Sequence, residues 1–187
     1  MTLAEISGVV GGRIADGDGD IVITSVVADS HDAVPGSLFT AIVGAKVDGH
    51  DYVPQARELG AVATLASRPV GSPAVIVKDP VAALGALSSY VIRRLPETLV
   101  LALTGSSGKT TTKDLLADLL ARRGRTVAPR GSFNSEVGLP LTVLSCTTQT
   151  SYLVCEMGMR GRGHIAYLDR KSTRLNSSHE WISRMPS

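Results

Sequence analysis

The sequence predicts an α/β protein in two parts, a small N-terminal α/β unit followed by a parallel-sheet unit. Short runs of Val, Leu, Ile and Ala alternate with segments whose apolar residues recur at helical spacing. Aromatic residues make up only 4% of the chain, so its cores must be aliphatic, as in parallel sheets covered by helices. The stretch Leu99 to Leu120 joins an apolar run to a helix through a glycine turn that can hold phosphate.

That stretch is the most informative. Leu99–Leu103 is apolar on both faces and reads as a buried strand, and Asp114–Leu120 places leucines on one helical face and aspartates on the other. Between them lies Thr104-Gly105-Ser106-Ser107-Gly108-Lys109-Thr110-Thr111. The spacing is G-x-x-G-K-[ST], shorter than G-x-x-x-x-G-K-[ST], because Leu103 stands where the first glycine of the longer pattern would fall. The glycines allow the backbone amides to converge at the positive end of the helix. Lys109 can then reach the outer phosphates of a nucleotide, and the Thr110 hydroxyl can take a magnesium ion.

Upstream, Leu3, Ile6, Val9 and Val10 predict a first helix with Thr2 as N-cap and Gly11-Gly12 as stop. The Asp and Gly residues at 16–20 lack the distant Glu of a calcium loop and read as a solvated turn. Strands are predicted at 21–28 and 37–43, separated by the polar cluster Asp29-Ser30-His31-Asp32 and by Pro35-Gly36. Asp48-Gly49-His50-Asp51 leads into a helix with Tyr52, Val53, Ala56 and Leu59 on one face, ended by Gly60. Strands at 61–66 and 74–77 follow, then a helix capped by Asp79 and Pro80 that runs to about Arg94. Pro96-Glu97 marks the boundary between a 1–96 unit and a 97–168 unit.

Downstream, Arg125–Ala128 reads as a short strand, residues 131–140 as a polar loop, and Tyr152–Cys155 as a buried strand that delivers Glu156 to its C-terminal end. In open parallel sheets ligands bind at that end, so Glu156 is a candidate magnesium ligand opposite Thr110. Arg160, Arg162 and His164 could meet an anionic substrate or remain solvated.

Two cysteines, Cys146 and Cys155, are too few for a disulfide framework and lack metal-ligand spacing. No apolar run approaches the roughly 18 residues that span a bilayer, so a cytoplasmic protein without membrane insertion is expected. The net charge of +2 resides wholly in residues 169–187, with four basic against two acidic side chains. The rest is neutral, and no basic field argues for nucleic acid.

TGSSGKTTTKD (104–114), FNSEVGLP (133–140) and EMGM (156–159), together with DSHDAVPGSLFTAIVGAKVDGHDYVPQARELGA (29–61), resemble the Mur ligases of peptidoglycan synthesis over residues 1–168. The resemblance implies a UDP-sugar-binding domain at 1–96 and a partial P-loop ATPase domain at 97–168. It implies ATP and Mg2+ as cofactors, UDP-N-acetylmuramoyl-tripeptide and D-alanyl-D-alanine as substrates, and a monomer when complete. By position it assigns ATP binding to Gly105, Ser106, Ser107, Gly108, Lys109, Thr110 and Thr111, with Lys109 catalytic. Magnesium falls to Thr110 and Glu156, the uridine end of the substrate to Ser30, and the substrate loop beside the phosphates to Asn134. Where His31 stands the family usually has Arg, and where Ser135 stands often a second Asn.

Asp169–Ser187 has the only Trp, a Ser- and Arg-rich composition and no apolar period. The string DRKSTRLNSSH resembles a translated sequencing adapter, so this tail is expected to be a non-native assembly artefact and the chain a truncated ligase, inactive alone. Two other readings remain open at this stage: a family member that adds the third stem-peptide residue, and a non-catalytic P-loop module that binds nucleotide without a sugar-nucleotide pocket.

Overall fold

A computed structural model describes residues 1–103, 107–129, 131 and 135–156. The first helix, α1 (Leu3–Val10), starts with a reciprocal capping box between Thr2 and Glu5 and stops at Gly11, whose φ of 63° is the left-handed conformation glycine adopts without strain. The strands that follow are β1 (Arg13–Ala15), β2 (Ser25–Val27), β3 (Ser37–Thr40), β4 (Ala61–Ala66) and β5 (Ala74–Ile76). They form one sheet in the order β1-β5-β4-β3-β2, with β1 antiparallel and the rest parallel.

Side chains alternate across this sheet. Leu38, Leu65 and Val75 pack with Leu3 and Ile6 of α1 and with Ala83, Leu84 and Leu87 of α3 (Pro80–Arg93), whereas Phe39, Ala41 and Ala66 pack with Val53 and Ala56 of α2 (Val53–Glu58). The α3 start follows from its sequence: Asp79 Oδ1 accepts the amides of Val81 and Ala82, and Pro80 needs no amide partner in the first turn.

Three expectations in this half are corrected. The strands predicted at 21–28 and 37–43 shorten to 25–27 and 37–40. The helix after Asp48 begins as a 3-10 turn, Gly49–Tyr52. Tyr52 and Leu59 stay exposed, so only Val53 and Ala56 of the predicted face are buried.

The second sheet is all parallel, β6 (Leu99–Leu103), β8 (Tyr152–Glu156) and β7 (Thr126–Val127) in that order, with α4 (Lys109–Ala121) and α5 (Gly138–Leu144) beside it. Helix α5 replaces part of the loop expected at 131–140. Leu139 and Val143 pack with Ile92, Leu95, Leu153 and Cys155, while Val137, Leu141 and Leu144 lie against the first core. Helices α3 and α5 therefore contribute to both cores, and the two sheets are joined by packed side chains.

Two burial expectations fail here. Leu99 is 57% exposed, and Leu115 and Leu119 are each 61% exposed, whereas Leu116 and Leu120 are half-buried, so the leucine face of α4 is only partly covered among the described residues. The buried residue of α4 is Lys113.

Candidate functional site

The head of α4 has the features of a phosphate cradle. Gly108 sits at its N-cap with φ 73°, and among the described residues no side chain caps the helix. A helix start without a side-chain cap directs its first amides and its positive dipole end outward, where an anion satisfies both. Ser107, Lys109, Thr110 and Thr111 lie at this end. Gly105, Ser106 and Asn134 lie outside the described residues, as do Arg160, Arg162, His164 and the tail 169–187.

Sheet register brings Glu156 to the same place. Leu103, the last residue of β6, pairs with Glu156, the last of β8. Thr110 Oγ1 donates to Glu156 Oε2 at 2.9 Å, and Glu156 is 1% exposed. A hydroxyl and a carboxylate converging at a helix head are hard oxygen donors of the kind magnesium takes, so the pair fits that ion.

One turn further along α4, Lys113 is 1% exposed and directs its ammonium away from solvent. Nζ donates to Pro129 O at 2.7 Å and Gly131 O at 2.9 Å, and meets Asp114 Oδ1 at 2.9 Å. Three acceptors match its three N–H groups. Lys113 thus ties α4 to the chain that follows β7. Sequence reasoning missed it; its i+4 spacing from Lys109 was the available signal.

The polar cluster after β2 forms a second assembly. Ser30 is 4% exposed, and its hydroxyl donates to Gln55 Oε1 at 2.8 Å. Gln55 Nε2 lies 3.3 Å from His31 Nε2, and His31 Nδ1 lies 2.9 Å from Asp29 Oδ1. The His31 amide and then its ring hold the Asp29 carboxyl below its ordinary range. Gln55 was also missed, because it reaches this cluster from α2 across 25 residues of sequence.

The Asp48-His50 pair organises the turn before α2. Ser67 N–H donates to His50 Nε2 at 3.1 Å, which fixes the proton on Nδ1, and Nδ1 donates to Asp48 Oδ1 at 2.6 Å. Arg68 completes the cluster at 2.9 Å from Asp48 Oδ2. The backbone amide of His50, its ring and Arg68 together hold the Asp48 carboxyl well below its ordinary range. Asp48 thus caps the 3-10 turn Gly49–Tyr52, accepting the His50 amide.

Two family patterns lie side by side on this chain. Residues 22–93 match the Mur ligase family, catalytic domain, and residues 103–175 match the Mur ligase middle domain, whose match runs past Leu168. The chain belongs to the Mur ligase family. Among Mur ligases, it is 42% identical to the UDP-N-acetylmuramoyl-tripeptide--D-alanyl-D-alanine ligase of Mycobacterium bovis, over 90% of this chain and 38% of that one. A structure of MurF from Acinetobacter baumannii superposes with a TM-score of 0.79 at 31% identity, over 90% of this chain and 38% of that one. The MurF ligase of Thermotoga maritima in complex with ADP gives a TM-score of 0.68 at 35% identity, covering 81% of this chain and 36% of that chain. This Mur ligase chain thus spans about 38% of the length of the first of these relatives.

Proposed function

We propose that this chain is the sugar-nucleotide-binding and ATP-binding part of a ligase that joins D-alanyl-D-alanine to UDP-N-acetylmuramoyl-tripeptide. The observation that carries the reading is the convergence of Thr110 and Glu156 at the uncapped head of α4. The choice of this ligase within the family rests on the relative from Mycobacterium bovis, which bears that name. Residues 1–96 would hold the UDP sugar, with Ser30 toward its uridine end, and residues 97–168 the nucleotide, with Asn134 beside the phosphates. The reading places the enzyme in the cytoplasm as a monomer when complete, and among the described residues no helix is long and apolar enough to cross a membrane.

The chemistry follows from the residue types. The terminal carboxylate of the peptide attacks the γ-phosphorus of ATP, the bond to ADP breaks, and an acyl phosphate results. The amine of D-alanyl-D-alanine then attacks the acyl carbon, releasing phosphate and a proton. Carboxylate and triphosphate repel one another, and the amides at the head of α4 with the Lys109 ammonium offset that repulsion and the charge on the transferred phosphoryl group. Thr110 and Glu156 would hold magnesium, which neutralises phosphate charge when bound.

Calorimetry of the 187-residue chain with ADP tests the reading. Binding should depend on magnesium and be lost in Lys109→Ala; magnesium-independent or absent binding overturns it. Thermal stabilisation by UDP-N-acetylmuramoyl-tripeptide should accompany it. Firm nucleotide binding with no response to the sugar nucleotide favours a P-loop module without ligase chemistry.

A further inference from the structure

The hydrogen bonds that end on Ser30 run in one direction, set by Asp29. A carboxylate only accepts, so His31 Nδ1, 2.9 Å from Asp29 Oδ1, carries a proton. The Gln55 amide presents its NH2, which only donates, to His31 Nε2 at 3.3 Å, so Nε2 is the acceptor in that contact. This turns Gln55 Oε1 toward Ser30, whose hydroxyl donates to it at 2.8 Å. The single proton of Ser30 is committed, and lone pairs alone remain for another contact.

The two ends of this chain differ in their surroundings. Ser30 is 4% exposed, so little water reaches it to offer the hydroxyl another acceptor. The His31 side chain is 72% exposed and is tethered at its own end by Asp29. Direction is thus imposed from the surface inward, through an amide that has one orientation compatible with both neighbours.

We propose that His31 and Gln55 are positioning residues that hold Ser30 as a hydrogen-bond acceptor, so that the nucleoside diphosphate bound here must present an N–H to it. Uracil does so with its ring imide. Cytosine carries an acceptor at the same ring position and is discriminated against, because two acceptors would then face each other in a site with little water. This rests on the reading that Ser30 meets the uridine end of a sugar nucleotide.

The test is calorimetry of the full 187-residue chain with UDP and with CDP. The unaltered chain should bind UDP roughly tenfold more tightly or better. Gln55→Leu removes the acceptor that engages the Ser30 proton, and the preference should fall to about twofold or less. Gln55→Glu has almost the same shape and keeps an acceptor toward Ser30, so it should retain the preference. His31→Ala, at an exposed position, frees the Gln55 amide to turn over and should reduce the preference even if Gln55→Leu fails to fold. An unchanged ratio in both Gln55→Leu and His31→Ala, or no preference in the unaltered chain, overturns the inference while leaving the ligase reading in place. Absence of any UDP binding removes both.

Discussion

Thr110 Oγ1 donates to Glu156 Oε2 at 2.9 Å, linking the head of α4 to the end of β8 across 46 residues of sequence. The link depends on β6 and β8 being parallel neighbours with Leu103 beside Glu156, since a one-residue slip would turn the carboxylate to the other face of the sheet. Glu156→Gln keeps the shape and an acceptor for Thr110 but removes the charge. It should weaken ADP binding in the presence of magnesium by about tenfold or more, and change metal-free binding by less than about twofold. Calorimetry in the two conditions measures both numbers. Equal weakening with and without magnesium would assign Glu156 a purely structural role.

Lys113 makes the strongest stability prediction. Lys113→Met keeps a long apolar stem and removes three N–H groups, leaving the carbonyl of Pro129 in a buried place, and that of Gly131 in a part-buried one, without this donor. The loss should be about 2–4 kcal/mol, read from urea denaturation midpoints at constant slope. A change below about 0.5 kcal/mol, the size of an ordinary surface substitution, would contradict the described clamp.

Much of this architecture is legible because it is locally encoded. Thr2 with Glu5 and Asp79 with Pro80 each announce a helix start within four residues, and the β6-turn-α4 order follows from Leu99–Leu103 and the glycine spacing. Glu156 is predictable because a strand end is a local feature and parallel sheets bind ligands there. What escapes prediction depends on distant partners. The leucines of α4 have the spacing of a buried face, yet burial requires another surface, and Leu115 and Leu119 have none among the described residues. Lys113 is buried only because Pro129 and Gly131 return to it, and Gln55 matters only because α2 packs beside Ser30. Helix α5 was hidden by Gly138 and Pro140, which read as loop residues although proline is tolerated in a first turn.

Stability should depend on pH through Asp48 and Asp29. Both carboxyls titrate lower in the folded protein than their ordinary range, Asp48 through the His50 amide, the His50 ring and Arg68, and Asp29 through the His31 amide and ring. A depressed folded value means that the unfolded chain binds protons first. The stabilisation is therefore complete above the unfolded value of about 3.9 and is lost as pH falls through the folded values. Asp48→Asn should lower stability near pH 6, and its gap to the unaltered chain should narrow as pH falls below about 4, because protonation of Asp48 in the unaltered chain removes the charge that the variant already lacks. Urea denaturation from pH 6 to pH 2.5 reads the narrowing. A constant gap across that range would mean that shape rather than charge is what Asp48 contributes.

The two thiols should be inert until the second core opens. Cys146 and Cys155 pack with Leu139, Val143 and Leu153, and burial pushes Cys146 up to about 11 and Cys155 further still. The thiolate is the reactive form, so at pH 8 ionisation alone slows Cys146 about two-hundredfold relative to an ordinary cysteine. Steric exclusion slows both further. Labelling with an aromatic disulfide reagent at pH 8 should be slow in buffer and rapid in concentrated urea, and its rate in buffer should follow unfolding when denaturant is raised in small steps. Because Ile92 and Leu95 belong to the same core, substitutions that loosen α3 at this end should accelerate labelling of both cysteines. Rapid labelling of either thiol in buffer without denaturant would place it at the surface and contradict the packing of α5 over β8.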